Sequence, residues 1–203
     1  ELEMLARKKV KHLYLGIESG LDDVLKFMKK DHDLAQAYQA IDRLHGAGLI
    51  YDAHIMTGVA GKGRGMENAE ALAQFLNRTN PAHVVNFSMF LHKEVPLYQD
   101  IRQGTFVPAD ELETIREEYH LIERIAPEKA GANILYDGFH DFIHVRVRGH
   151  LPGDKEKMLA KLNGIIQEYE GKEPVYSFVQ GECPDLEYCD DGKAVWDMDR
   201  KTS

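Results

Sequence analysis

The stretch Leu13-Tyr-Leu-Gly-Ile-Glu-Ser-Gly20 decides how this chain is organised. Its apolar residues run as far as Ile17, and a carboxylate, a hydroxyl and a glycine then follow in immediate succession. The next apolar residues have the i, i+3, i+4, i+7 spacing of an amphipathic helix, and they are Leu21, Val24, Leu25 and Met28. The pattern predicts a buried parallel strand that delivers Glu18 and Ser19 at its carboxyl end. Open α/β sheets and βα barrels bind ligands at that edge.

The same residues have a second interpretation, in which they only begin the helix. Ser19-x-x-Asp22 fits a capping box, where two side chains satisfy the first backbone N–H groups of a helix. The pattern alone leaves both interpretations open.

Length and composition bound the class of protein. The 203 residues suffice for one domain with a core, with or without a small appendage. The formal net charge of −9 argues against a general nucleic-acid surface, and no apolar run is long enough to cross a bilayer. The two cysteines, Cys183 and Cys189, are too few for a disulfide framework and suit a reducing compartment. We therefore expect a cytoplasmic protein that does not bind membranes and has no general nucleic-acid surface, while a local basic groove stays open.

The first residues indicate a piece of a longer protein. Glu1-Leu-Glu-Met4 is not a natural start, and a helix over residues 2–9 precedes the first strand. A βα fold that opens on a helix feeding a buried strand has normally lost earlier units. The chain is therefore interpreted as a fragment.

Three βα units are predicted in the first part of the chain. The strands are expected over residues 12–17, 50–59 and 83–89, and the helices over 21–30, 34–45 and 66–78. Asp33 is expected to cap the second helix. Because the carboxyl ends of parallel strands share one edge, Glu18, Gly58 and Ser88 should lie together and bridge a polar ligand.

The second part of the chain does not continue the βα repeat. Residues 90–109 form a connection too long to be passive and are expected to be a functional loop. Asp110 should cap a helix that ends near residue 125, and its charged residues 116–117–118 and 123–124 are interpreted as a solvated face. The prediction continues with a break over 127–138 and an extended segment over 142–148. It ends with a helix over 155–169 and an edge strand over 175–179.

Two further clusters of residues have the composition of a phosphate site or a metal site. The glycine-rich residues 58–65, with Lys62 and Arg64, could cradle phosphate, although a turn that lets the backbone approach a ligand is the preferred interpretation. The histidine-rich group is interpreted as solvated or locally hydrogen-bonded, because His-x3-His binds metal well on a helix and this segment is extended. Its members are His140, Asp141, His144 and His150. No metal site and no catalytic residue is predicted in this chain.

The ordered motifs resemble those of a known family. Tyr14-Leu-Gly-Ile-Glu-Ser-Gly20, Met28-Lys-Lys30, His54-Ile-Met-Thr-Gly58 and Pro96-Leu-Tyr98 are similar to the second half of a radical S-adenosylmethionine (radical SAM) domain. The branch resembled is shared by coproporphyrinogen dehydrogenases, methylthiotransferases and the Elongator catalytic subunit. The resemblance implies an α/β fold: a partial TIM-like (β/α) barrel with strands four to six over residues 1–126, and a small C-terminal α+β extension over 127–203.

The resemblance also implies a set of residues at S-adenosylmethionine (SAM). Glu18 would hydrogen-bond the ribose or amino group, and Lys30 stands where relatives often carry an arginine for the methionyl carboxylate. His54 stands where relatives can carry a ribose-binding aspartate. The complete implied set is Glu18, Ser19, Lys30, His54, Ile55, Gly58, Asn86 and Ser88.

The family's Cys-x3-Cys-x2-Cys loop, which binds a [4Fe-4S] cluster, does not occur in this sequence. The resemblance places it upstream of Glu1, so this chain alone is expected to be inactive although the full protein would be an iron-sulfur oxidoreductase. Two alternatives stay open: a non-catalytic protein-interaction domain, and a βα-barrel enzyme that binds a phosphorylated metabolite at residues 58–65. The substrate is not identified, and exposed strand edges would favour a homo-oligomer.

Overall fold

The structure is a computed structural model that describes residues 1–178. Its strands are β1 (His12–Glu18), β2 (Ile50–Thr57), β3 (His83–Ser88), β4 (Ile134–His140) and β5 (Val145–Leu151). Its helices are α1 (Leu2–Arg7), α2 (Asp22–Phe27), α3 (Leu34–Gly46), α4 (Gly65–Thr79), α5 (Leu97–Arg102), α6 (Glu111–Arg124) and α7 (Lys155–Tyr169), with a 3₁₀ turn at Asp141–Ile143.

The five strands form one sheet in the order β1-β2-β3-β4-β5. The first four strands pair in parallel, and β5 pairs with β4 in the antiparallel direction. Each parallel strand is thus added beside the previous one, without the reversal of order that defines a doubly wound sheet. This is the strand order of a (β/α) barrel that has not closed.

Helices α3, α4, α6 and α7 pack on one face of the sheet, whereas α2 and α5 contribute to a second apolar cluster beyond the carboxyl ends of β2 and β3. The covered face carries the main core, in which Ile17, Ile55 and Tyr136 are at most 2% exposed. The opposite face, called here the open face, carries Tyr14, which is 51% exposed, and His54. In a closed barrel the open face would be the interior, since the helices lie outside.

Two predicted helix caps are confirmed and one is wrong. Asp33 accepts a hydrogen bond from the Gln36 N–H at 2.8 Å, and the Gln36 side chain accepts one from the Asp33 N–H. Asp110 likewise accepts from the Glu113 N–H. Ser19 does not cap α2, because its hydroxyl accepts from the Leu21 N–H outside the helix.

The main error of the sequence prediction is the break over residues 127–138, which contains most of β4. The strand includes Asp137 and Gly138, two residues that are rare in strands. Asp137 accepts two hydrogen bonds from the Arg146 guanidinium of β5, at 2.8 and 2.6 Å. Gly138 leaves the space that the Glu118 carboxylate occupies. The sheet therefore continues across residue 126, while the boundary placed there stays a prediction.

The end of the described chain packs against the loop after β3. The Ser177 carbonyl accepts from the Leu91 N–H at 2.8 Å, and Phe178 forms a single parallel bridge with Leu91. The predicted edge strand over 175–179 is reduced to this bridge within the described residues. Cys183 and Cys189 lie outside them.

Over residues 1–178, no helix combines the length and the apolar character needed to cross a membrane.

Candidate functional site

A carboxylate and an ammonium meet at the carboxyl end of β1. Glu18 Oε1 lies 3.3 Å from Lys30 Nζ, and the two side chains are 24% and 28% exposed. Glu18 has φ +61, a left-handed conformation that is uncommon outside glycine. A Cβ atom on Gly16 would lie 2.6 Å from Glu18 Oε1, so the glycine lets the carboxylate lie across the strand on the open face. The pair therefore offers an accessible acceptor beside an accessible donor.

His54 lies on the same open face, one strand away from this pair. Gly16 and His54 are register partners in the β1–β2 pairing. The His54 ring makes edge contacts with Tyr14 at 5.1 Å and with Phe87 at 6.1 Å between ring centroids. Of the predicted side chains, Glu18, Lys30 and His54 are the ones that this face brings together.

Ser19, by contrast, points away from the open face. Its side chain is fully buried, and its hydroxyl donates to Asn68 Oδ1 of α4 at 2.7 Å. The same Asn68 oxygen accepts the Gly20 N–H at 3.1 Å. Ser19 therefore anchors the end of β1 to α4.

Ile55, Asn86 and Ser88 also face the covered side. Ile55 is 1% exposed and belongs to the core. Asn86 accepts the Thr57 N–H at 3.1 Å and donates to Glu118, while the Ser88 hydroxyl donates to Glu111. Their side chains hold neighbouring strands and α6 in place, so only their backbones are available to a ligand on the open face.

The side chains of Asn86 and Ser88 bond to two of three buried glutamates of α6. Glu111, Glu117 and Glu118 are each at most 1% exposed, so the prediction of a solvated face at residues 116–118 is wrong for Glu117 and Glu118. The spacing of residues 111, 115, 118 and 122 is i, i+4, i+7, i+11, with isoleucine at 115 and 122. That periodicity places Glu111 and Glu118 on the apolar face and is the signal that could have found them.

His140, at the end of β4, lies between two of these glutamates. Its Nδ1 is 3.0 Å from Glu111 Oε2, and its Nε2 is 3.0 Å from Glu118 Oε2. The prediction of a solvated or locally bonded histidine is therefore wrong for His140, whose partners are 22 and 29 residues away. Over residues 1–178, no three or more His, Cys, Asp or Glu side chains are arranged so that they could hold a metal ion.

Burial and pairing set the protonation of this cluster. Burial alone would lower the pKa of His140, but Glu118 and Glu111 raise it to about 10. Burial alone would raise the pKa of Glu111, but His140 holds it below its usual value. Burial raises the pKa of Glu117 to about 7, against the opposing effect of its hydrogen bonds from Asn68 and Gly58. The cluster thus combines a buried cation with a carboxyl group that titrates near neutral pH.

Gly58 connects the strand end to this cluster. It has φ +82, and its N–H donates to Glu117 Oε2 at 2.8 Å. The Lys62 N–H donates to the Val107 carbonyl at 2.9 Å, and the Gly63 N–H donates to Glu113. These N–H groups already bind carboxylate or carbonyl oxygens, which a phosphate would have to displace. The geometry of residues 58–65 therefore does not favour the phosphate alternative.

An apolar cavity of about 220 Å³ opens at the same edge of the sheet. Met28, Met56 and Met89 line it together with Phe90 of the loop over residues 90–109. Lys29, which precedes the ion-paired lysine, also lines it. The cavity thus reaches the residue next to Lys30 in the sequence, and flexible apolar side chains that adapt to varied shapes line it.

The fold is an α/β, partial TIM-like barrel, and an ion pair lies at the carboxyl edge of its sheet. Neither a protein-family profile nor a curated protein matches the sequence. Among solved structures, archaeal Elp3 from Methanocaldococcus infernus, with an N-terminal deletion of residues 1–46, matches with a TM-score of 0.60 over 82% of this chain. The sequence identity is 17%, and this chain spans 38% of that chain.

Elp3 is a radical SAM protein with a TIM-like fold, so the fold class predicted from the sequence is confirmed. At this identity the likeness shows the fold alone.

Proposed function

We propose that this chain is the SAM- and substrate-binding half of a radical SAM iron-sulfur enzyme. In the full enzyme, Glu18 and Lys30 would hold SAM, and a [4Fe-4S] cluster bound elsewhere would supply the electron that splits SAM into methionine and a hydrogen-abstracting 5′-deoxyadenosyl radical. The observation that carries the proposal is the Glu18–Lys30 pair on the open face of a sheet with the Elp3 fold. The pair lies at the carboxyl end of β1, and the carboxyl edge of the strands is where βα barrels bind their ligands.

The residues of this edge suit the polar ends of SAM. A carboxylate only accepts hydrogen bonds and an ammonium only donates them. Glu18 therefore suits the ribose hydroxyls or the amino group, and Lys30 suits the methionyl carboxylate. Both side chains are accessible enough to exchange their mutual contact for a ligand. SAM supplies the reactive 5′-deoxyadenosyl group, while these residues bind and orient it.

The residues of this chain do not fit the cluster. A [4Fe-4S] cluster of this kind needs three cysteine thiolates, and the sequence contains two cysteines, both in the last part of the chain. The proposal therefore assigns the cluster ligands to polypeptide outside this chain and the binding of SAM to residues within it. The chain by itself is proposed to bind SAM without cleaving it.

The cavity at residues 28, 56, 89 and 90 is proposed to receive an apolar part of the substrate. Lys29, the residue before Lys30, lines it, and the long loop after β3 borders it. An engineered apolar cavity of about 150 Å³ holds benzene, so about 220 Å³ accommodates a somewhat larger apolar group.

The test is the affinity of this chain for SAM, measured by isothermal titration calorimetry. Glu18→Gln and Lys30→Met should each weaken binding by about tenfold, since each removes one charge-assisted hydrogen bond. Lys26→Met, an exposed lysine on α2, is the matched control and should leave affinity unchanged. Failure of the unaltered chain to bind SAM, or equal affinity in all variants, would contradict the proposal.

A further inference from the structure

A buried chain of hydrogen bonds connects the carboxyl end of β1 with that of β2. Ser19 and Gly20 donate to Asn68 Oδ1, at 2.7 and 3.1 Å. Asn68 Nδ2 donates to Glu117 Oε1 at 2.7 Å. Glu117 Oε2 accepts the Gly58 N–H at 2.8 Å. This series of hydrogen bonds runs through Asn68 of α4 and Glu117 of α6, so it joins the two strand ends indirectly.

Glycines at three positions let the elements joined by these hydrogen bonds approach closely. A Cβ on Gly20 would clash with the backbone of α4 at Ala71 and Leu72. A Cβ on Gly65 would lie 3.0 Å from Glu117 Oε2, and one on Gly58 would lie 2.8 Å from Thr114 of α6. The strand ends and the two helices therefore meet at backbone distance, where a displacement of one element is transmitted to the next.

We propose that Glu117 is a positioning residue, which acts through Gly58 and Asn68 to hold the ends of β1 and β2 at a fixed separation. This inference rests on the proposed function, because Glu18 immediately precedes the Ser19 anchor and Gly58 ends the segment assigned to the cofactor. Glu117 itself has no exposed surface and does not reach a ligand on the open face.

The charges around Glu117 decide how its protonation affects this role. Glu113 on the same helix opposes its ionisation, and His140 on β4 favours it. Tyr136 of β4 also faces it, and the charge of Glu117 helps to raise the pKa of that phenol. Asn68 of α4 and the Gly58 N–H contribute dipoles without charge. An ionised carboxylate accepts a stronger hydrogen bond than a protonated one, so the hold on Gly58 tightens as Glu117 loses its proton.

The first experiment follows the backbone amide of Gly58 by NMR as the pH is changed from 5.5 to 8.5. The unaltered chain should show the Gly58 N–H resonance moving with an apparent midpoint near 7, because burial raises the pKa of Glu117 to about 7. Glu117→Gln should abolish this movement. Glu123→Gln, which changes an exposed glutamate of the same helix, is the matched control and should preserve it.

The second measurement is SAM affinity at pH 8, where Glu117→Gln should bind about tenfold more weakly and Glu123→Gln as tightly as the unaltered chain. A Gly58 resonance that ignores pH in the unaltered chain overturns the inference without requiring any variant to fold. Equal SAM affinity in Glu117→Gln and the unaltered chain also overturns it. Absence of SAM binding by the unaltered chain overturns instead the proposed function, and the Gly58 response then reports on the connection between the strands alone.

Discussion

His140 Nε2 lies 3.0 Å from Glu118 Oε2, and neither side chain has any exposed surface. The other ring nitrogen meets Glu111 Oε2 at the same distance. A ring whose two nitrogens both face carboxylates must donate from both, which only the protonated imidazolium does. The end of β4 is therefore fastened to α6 by a buried cation between two buried anions.

Replacing His140 by glutamine should destabilise the fold strongly. The substitution leaves two buried carboxylates without their cation, and breaking such an arrangement costs about 3–5 kcal/mol. Urea unfolding followed by circular dichroism measures the change. His150→Gln, at an exposed position of β5, is the control and should alter stability by less than about 0.5 kcal/mol. Equal losses in the two variants would show that the buried cation is dispensable.

The stability of the fold should depend on pH through Glu117. Its pKa is raised from 4.5 to about 7 in the folded state, so the folded state holds the proton more tightly than the unfolded state does. The resulting stabilisation is fully present below pH 4.5 and is lost as the pH rises through 7, by about 3 kcal/mol in all.

This contribution can be isolated by measuring unfolding free energies of the unaltered chain and Glu117→Gln between pH 5 and 8. The unaltered chain should lose about 2–3 kcal/mol relative to the variant over that range. His140 also contributes, because its pKa is raised from 6.5 to about 10 and its stabilisation declines as the pH rises from 6.5 to 10. That decline occurs in both proteins, so it cancels when the variant is compared with the unaltered chain. Parallel pH profiles would contradict an elevated pKa at Glu117.

Two glycine-to-alanine substitutions should have opposite effects. Gly138→Ala places a methyl group where the Glu118 carboxylate lies, and should cost about 2–4 kcal/mol through strain and a broken buried network. Gly164→Ala, on an exposed turn of α7 with open space around it, should stabilise by about 0.5–1 kcal/mol. Thermal unfolding of both variants checks the prediction, and a tolerated Gly138→Ala would show that Glu118 can occupy another place.

Lys30→Arg should raise SAM affinity by about threefold, since a guanidinium binds a carboxylate through two parallel hydrogen bonds. Calorimetric titration of the unaltered chain, Lys30→Arg and Lys30→Met orders the three affinities. A loss in Lys30→Arg as large as that in Lys30→Met would mean that position 30 needs the shape of lysine and does not contact a carboxylate.

The elements that follow simple periodicity were predictable. The strands at 12–18, 50–57 and 83–88 lie within one or two residues of their predicted bounds, because each is a short segment rich in apolar and aromatic residues with turn-forming residues on at least one side. The helices capped by Asp33 and Asp110 were also predicted, because a short polar side chain satisfies the first free N–H groups.

The features that depend on distant partners were not predictable in the same way. Asp137 lies in a strand because Arg146 of the next strand binds it, and Gly138 lies there because Glu118 needs the space. In the sequence, Glu117 resembles a surface residue. In the fold, Asn68 and the Gly58 N–H donate hydrogen bonds to its two carboxylate oxygens, which allows its burial. Ser19, Asn86 and Ser88 lie at the strand ends where the sequence predicted them. A local pattern does not reveal that their side chains face the covered side of the sheet.

The two edges of the sheet differ in a way that bears on assembly. On one side, within residues 1–178, β1 pairs only with β2, so its outer edge can accept a further parallel strand. On the other side β5 runs in the opposite direction and carries exposed Arg146 and Arg148, a combination that discourages further pairing. A separately expressed polypeptide with complementary strands should therefore dock from one side only. This makes the chain a candidate for split-protein reconstitution, in which β1 would pair with the strand of the added polypeptide.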